Sequence, residues 1–346
     1  MTPLPPNERP DAPPLLDRLG RPLHDLRISV TDRCNFRCRY CMPREVFGAD
    51  FQFLPRDEIL TFEEIARLVR VFAGYGLRKV RLTGGEPTLR AQLPKLVAMI
   101  REAPGIEIAM TTNGSLLAQQ AQALADAGLD RVTLSLDSLD DAVFRAMNDV
   151  DFQVARVLDG IEAAERAGLS PIKINAVVKR GVNDHTVVDL ARHFKGSGHI
   201  IRFIEYMDVG TTNGWRMNDV VAGAELVERI NAELPMEPAE PSYRGEVAKR
   251  WRYLDGEGEV GVITSVTQPF CGDCTRARLS ADGRLYTCLF GVWGTDFRGP
   301  MREGVDDERL AAILTERWRA RTDRYSELRS DATQDLRRVE MSYIGG

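Results

Sequence analysis

Long apolar runs are missing from this chain: nowhere do roughly 18 consecutive apolar residues occur, the length that spans a bilayer, so no membrane segment is expected. An export signal is missing too, since no apolar core follows basic residues near the start, and a cytoplasmic location is the expectation. Positive charge is not in excess. With 46 Lys and Arg against 51 Asp and Glu the formal charge is -5, which argues against binding nucleic acid through a broad basic surface but allows a local anion pocket. No G-x4-G-K-[ST] loop occurs, which excludes a GTP-binding regulator of that design. What is present is ordinary globular material, 43% hydrophobic and 28% charged, long enough for one large domain or a domain with an appendage.

Residues 1–17 are the exception, because Pro3, Pro5, Pro6, Pro10, Pro13 and Pro14 crowd a segment with little to bury, and a disordered tail is expected there. From residue 26 to about 207, short alternating runs are separated by stretches with helical spacing. The spacing predicts strands over 26–31, 79–83, 106–111, 131–136, 172–178 and 200–206. Between the first two, Phe62, Ile65, Leu68, Val69 and Phe72 form a helix stripe that Thr61 caps and Gly74 and Gly76 end. Repeated strand-helix units imply parallel strands with crossover helices.

One face of these strands is apolar and the other polar. Leu26, Ile28 and Val30 alternate with Arg27, Ser29 and Thr31; Val80 and Leu82 with Lys79, Arg81 and Thr83; Ile172 and Ile174 with Lys173 and Asn175. Closed eight-stranded barrels fill the interior with branched apolar side chains. A polar inner face therefore predicts an open, partial (β/α)6 barrel with a ligand-filled lumen. The last strand breaks this phase at Arg202 and Glu205. Beyond residue 210 the rhythm stops, so 18–209 is expected as the barrel and 210–346 as an appendage, with a terminal helix from Asp306 on the stripe Leu310, Ile313, Leu314 and Trp318.

Six cysteines carry the chemistry, in two triplets. Cys34, Cys38 and Cys41, spaced C-x3-C-x2-C, follow the first strand and so stand at the end where barrel enzymes place their active sites. Cubane clusters use four thiolates, and three leave one iron open to a ligand. Structural zinc is the plainer alternative, but closed zinc sites take four ligands and the nearest histidine, His24, lies ten residues upstream. Cys271, Cys274 and Cys288 repeat the pattern with wider spacing, and a zinc knuckle completed from elsewhere is again the alternative.

The first triplet and its placement resemble the radical S-adenosylmethionine (SAM) superfamily. That resemblance implies a [4Fe-4S] cluster whose free iron is chelated by SAM, and one-electron cleavage of SAM to methionine and a 5'-deoxyadenosyl radical. Tyr40 matches the aromatic residue near the adenine, and Thr83-Gly84-Gly85-Glu86-Pro87 resembles the motif that meets the SAM amino group, with Gly85 as the contact. On the residues alone, that motif could be a strand-helix turn, and Thr111 and Ser135 could be caps.

Both triplets, Arg276-Ala277-Arg278 and the terminal Gly345-Gly346 together resemble the molybdenum cofactor biosynthesis protein A family, the GTP 3',8-cyclases, over residues 18–346. The resemblance implies a second [4Fe-4S] cluster on Cys271, Cys274 and Cys288 that meets the guanine of GTP. It makes Arg27, Arg81, Thr111, Lys173, Arg202, Arg276 and Arg278 GTP contacts, and Tyr40, Gly85, Ser135 and Met207 SAM contacts. Arg27, Arg276, Arg278, Gly345 and Gly346 are the implied catalytic set, with the Gly-Gly tail reaching the active site. A lysine inside a barrel needs an anion, although a register slip would turn Lys173 to solvent. The implied product is (8S)-3',8-cyclo-7,8-dihydroguanosine 5'-triphosphate, passed to cyclic pyranopterin monophosphate synthase. A flavodoxin- or ferredoxin-like protein is the implied reductant, and a homodimer is allowed. The rivals are a peptide-modifying radical SAM enzyme with an auxiliary cluster and a non-catalytic iron-sulfur electron carrier.

Overall fold

The computed structural model describes residues 14–243, 245–329 and 338–345. Six parallel strands form its centre: β1 (Asp25–Ser29), β2 (Lys79–Thr83), β3 (Glu107–Thr112), β4 (Arg131–Ser135), β5 (Lys173–Val178) and β6 (Ile200–Glu205), side by side in chain order. Helices α1 (Phe62–Ala73), α2 (Leu93–Arg101), α3 (Leu117–Asp126), α4 (Asp141–Asn148), α5 (Val154–Arg166) and α6 (Val187–Phe194) fill the crossovers. The apolar face of every strand packs on them, with Leu26, Ile28, Val80, Leu82, Ile108, Leu134, Ile174 and Phe203 all fully buried.

Helix α1 shows how local chemistry sets the boundaries. The Thr61 hydroxyl accepts from the Glu64 amide at 3.1 Å while the Glu64 carboxylate accepts from the Thr61 amide at 2.8 Å, a capping box that satisfies two otherwise orphaned donors. At its far end Gly76 adopts φ +92°, which a side chain would oppose. The expected strands and this helix are thus present, with ends shifted by one or two residues.

The phase break in the last strand has a structural resolution. Arg202 pairs in register with Asn175 and shares the lumen face, whereas Glu205 lies on the helix side with Ile201 and Phe203. There its buried carboxylate accepts from the amides of Gly223, Val266 and Thr267, so it starts helix α7 (Gly223–Glu233) and braces a turn. All six strands therefore keep one phase, and the odd polar residue is a structural brace.

The C-terminal region extends the same sheet at both edges. Strands β7 (Met236–Ala239), β8 (Lys249–Tyr253) and β9 (Glu259–Ile263) continue beyond β6, with β9 parallel to it. Strand β10 (Arg276–Leu279) pairs in parallel with β1, and β11 (Arg284–Tyr286) and β12 (Thr295–Asp296) follow antiparallel. The twelve-stranded sheet stays open, as a partial barrel requires. After the short α8 (Arg298–Arg302), the expected terminal helix is α9 (Asp307–Arg319), capped by Asp306 and burying Leu310, Leu314 and Trp318.

The tail needs a correction. Residues 1–13 lie outside the described residues, but Leu15 and Asp17, expected in the disordered segment, are buried. Asp17 accepts from the Arg21 guanidinium at 2.6 Å, and Arg21 donates at 2.8 Å to the Cys271 carbonyl, tying this stretch to the second cysteine group. Among the described residues no helix is long and apolar enough to cross a membrane.

Candidate active site

A cavity of about 330 Å³ opens on the polar face of the sheet, and all six cysteines line it. Cys34, Cys38 and Cys41 stand on the loop after β1, whose turn is closed by the Cys41 amide donating to the Cys38 carbonyl at 2.9 Å. Gly84 and Gly85 carry this loop. A Cβ on Gly84 would lie 2.3 Å from the Thr31 carbonyl and one on Gly85 2.2 Å from that of Arg33, so backbone meets backbone there. Glu86 locks the next loop in turn, accepting from the Thr112 hydroxyl and the Asn113 amide, both at 2.7 Å. Asn113 then donates to Cys34 Sγ at 3.8 Å.

Burial pushes the Cys34 thiol up to about 12, and burial together with Asp137 raises Cys38. Three buried thiols favour the neutral form unless a cation joins them. The donor set, all thiolate and one short of four, fits a cluster with an open iron.

Across the cavity, Cys271, Cys274 and Cys288 come from the segment before β10 and the loop after β11. At Cys274 burial opposes ionisation, but Arg276 and Arg321 overcome it and hold the thiol down at about 6. Their guanidiniums lie 3.4 and 3.2 Å from its sulfur. Burial pushes Cys288 up to about 11. Arg321 had no signal in the sequence, since it reaches the site from beyond α9.

Between the two cysteine groups the lumen is cationic. Strand register sets Arg278 beside Arg27 and Arg27 beside Arg81, one row across three parallel strands. Arg81 donates to the hydroxyls of Thr111 and Thr133, both at 3.1 Å, and Arg202 to the Asn175 side-chain oxygen at 3.0 Å. These partners are neutral. Burial, then the charges of Arg278, Arg81 and Arg276, drives the Arg27 pKa well below its ordinary value. Buried cations with neutral partners are costly alone and are stabilised by a polyanion.

Most of the expected site residues are brought together. Arg27, Arg81, Thr111, Arg202, Arg276 and Arg278 line the cavity, as do Tyr40, Gly85, Ser135 and Met207. Tyr40 donates to the buried Asp137 carboxylate at 2.9 Å, and burial pushes that carboxyl up to about 6. Lys173 shares the lumen face, in register with Thr133, but lies outside the cavity lining. Burial and the nearby Arg202 lower it to about 7. Lys79 was passed over, although it alternates in phase with Arg81; it lines the cavity, and burial lowers it to about 8.

The chain's end enters the same space. Arg278 donates to the Gly345 carbonyl, and a Cβ on Gly345, at φ +75°, would fall 2.4 Å from Thr83 Cγ2. Gly346 lies outside the described residues. Glu340 clasps the tail to the loop after β6: its carboxylate accepts from the Thr211 amide at 2.9 Å and the Thr212 hydroxyl at 3.0 Å. In that loop Asn213 donates to the Met207 carbonyl at 3.0 Å.

An open parallel barrel with an incomplete thiolate triplet at the end of β1 defines a radical SAM protein, and the Radical SAM superfamily model matches residues 28–194. The fold agrees with SuiB of Streptococcus suis, a structure bound to S-adenosylmethionine (TM-score 0.60, 17% identity, 81% of this chain and 64% of that one). The Molybdenum Cofactor Synthesis C model matches residues 199–327. The chain belongs to the GTP 3',8-cyclase family. It is 56% identical to the Acidothermus cellulolyticus protein of that name, over 96% of this chain and 99% of the relative. Identity is 51% with that of Xanthomonas campestris pv. campestris (97% and 98% covered) and 48% with that of Staphylococcus carnosus (96% and 99%).

Proposed function

We propose that this chain is a radical SAM GTP 3',8-cyclase that converts GTP to (8S)-3',8-cyclo-7,8-dihydroguanosine 5'-triphosphate, an early step of molybdenum cofactor biosynthesis. The observation that carries this is the row Arg278, Arg27 and Arg81 in a lumen with a cysteine triplet on each side. A peptide substrate would not balance that charge, and a closed electron carrier would not need the cavity.

Cys34, Cys38 and Cys41 would hold one [4Fe-4S] cluster and Cys271, Cys274 and Cys288 a second, which with SAM supply one-electron chemistry at an unactivated C–H bond. The protein's own residues position what reacts. Tyr40, Gly85, Ser135 and Met207 enclose the SAM side. The guanidiniums of Arg27, Arg81, Arg202, Arg276 and Arg278, with Thr111, hold the triphosphate and ribose so that C3' and C8 face one another, an orientation whose gain is entropic. Lys173 adds charge deeper in the lumen, whereas Lys79 is balanced by Glu107 at 3.3 Å. Arg276 and Arg321 keep Cys274 ready to ligate. Gly345, pinned by Arg278, closes the cavity against water.

The protein is read as cytoplasmic, where its six free thiols stay reduced. A flavodoxin- or ferredoxin-like reductant would feed it, cyclic pyranopterin monophosphate synthase would take its product, and it would work alone or as a homodimer. The test is anaerobic reconstitution with iron and sulfide, then SAM, reductant and GTP. 5'-Deoxyadenosine and the cyclised nucleotide should appear together. GTP recovered intact while a peptide or another nucleotide is consumed would show the assignment to be wrong.

A further inference from the structure

A second groove, of about 720 Å³, lies at the end of β1 between the starts of α1 and α2 and shares no lining residue with the central cavity. Arg33, Arg56, Arg90 and Lys95 face it, against one acid in its lining, Glu63. Among the described residues none of the four makes an ion pair at contact distance, although the charge of Arg33 acts on its neighbour Asp32. Arg33 lies 5.7 Å over the Phe53 ring, and Arg90 lies 5.1 Å over Phe62 and donates to the Leu60 carbonyl. Among the described residues the Arg56 and Lys95 side chains make no hydrogen bond or ion pair. This is unusual in a chain where acids outnumber bases, and nearby arginines are paired: Arg302 with Glu64 at 2.8 Å and Arg67 with Asp307 at 2.7 Å.

Apolar surface continues the patch. Leu89 in the lining is 39% exposed, and Phe53 packs 4.8 Å from Phe51, itself 36% exposed. Arg33 directly precedes Cys34, so groove and cysteine loop are one segment. Nucleotide, SAM and the chain's own tail compete for the central cavity, which leaves this outer side of the loop as an approach for an electron donor.

We propose that the groove docks a small acidic electron-carrier protein that reduces the site held by Cys34, Cys38 and Cys41; this rests on the reading of that triplet as the SAM-side cluster. The carrier gives up one electron and the cysteine-held site gains one, with no bond made or broken. Exposed, dispersed cations with apolar neighbours suit steering and brief contact with a protein, whereas a free phosphate would be held by converging buried donors.

The test uses reconstituted holoenzyme and the double variant Arg56→Glu/Lys95→Glu, with photoreduced flavodoxin or dithionite as donor. At low salt the flavodoxin-driven rate of 5'-deoxyadenosine formation should fall roughly tenfold or more, with the loss shrinking as salt rises. Flavodoxin affinity by titration should weaken in parallel, and the dithionite-driven rate should not change. An unchanged flavodoxin rate overturns the proposal, as does an equal loss with dithionite. A changed sedimentation coefficient with carrier kinetics intact assigns the groove to a second copy and also overturns it, as does inorganic phosphate binding that alone responds to the variant. Wild-type enzyme that fails to cyclise GTP with dithionite would instead refute the functional reading.

Discussion

Replacing Arg27 with methionine should stabilise the nucleotide-free protein while destroying its grip on GTP. Arg27 is the middle of three guanidiniums on adjacent strands, which lie about 4.8 Å apart. At charge separations of about 6 Å and an effective dielectric of about 20, each neighbour repels it by roughly 3 kcal/mol. Asp25 and water in the lumen return much of this, leaving a net gain of about 2 kcal/mol when the charge is removed and the methylenes are kept. For a chain of this length the unfolding entropy is about 0.7 kcal/mol/K, so the melting temperature should rise by about 3 °C. With GTP the advantage disappears. Losing a desolvated charge contact costs about 2 kcal/mol, roughly 30-fold in affinity, so GTP at 100 times the wild-type Kd should add only about 0.9 kcal/mol to the variant against about 2.7 to the wild type, and the two should melt close together. Anaerobic melting curves with and without GTP read both effects. A variant that melts lower than wild type without GTP yet keeps its GTP shift would refute the view of the row as an uncompensated anion site.

Three further outcomes follow from local geometry and charge. Gly345→Ala puts a methyl against Thr83 Cγ2, so kcat should drop about tenfold or more (at least about 1.4 kcal/mol) with unchanged cluster absorbance, and Thr83→Ser, which deletes that methyl, should restore part of it. Lys173, lowered to about 7 by burial, must take up a proton to meet a triphosphate; GTP affinity should therefore decline as pH rises from 7 towards 9, and Lys173→Met should flatten that slope in calorimetric titrations. Glu340→Ala frees the tail from Thr211 and Thr212 and should raise the KM for SAM as well as for GTP, because the same loop carries Met207; Glu340→Gln, which keeps an acceptor for the Thr211 amide, should retain most of the affinity.

The barrel was legible because alternation has one cause: one face of each strand packs on helices and the other lines the lumen. Leu26, Ile28 and Arg27 show it in three consecutive residues. Arg202 and Glu205 looked irregular only because the end of a strand can bury a carboxylate where amides converge on it, a tertiary fact with no local trace. The triplets and the Arg276-Ala277-Arg278 run were legible from spacing. Arg321 and Glu340 were not, since each acts on a partner 47 and 128 or 129 positions away. None of the strands β7 to β12 is expected from the sequence, for a related reason: short strands in a Gly- and Pro-rich stretch carry too little alternation to stand out. Lys79 stands in the same alternation as Arg81 but belongs to no motif of the resemblance.

The division of labour between the two cysteine groups is the central claim, and one comparison tests it most directly. Reconstituted wild type, Cys34→Ala and Cys288→Ala are each given SAM, dithionite and GTP, and 5'-deoxyadenosine and cyclised nucleotide are quantified. Cys34→Ala should form neither. Cys288→Ala should still cleave SAM while cyclised nucleotide falls away. Equal loss of 5'-deoxyadenosine in both variants would contradict the account.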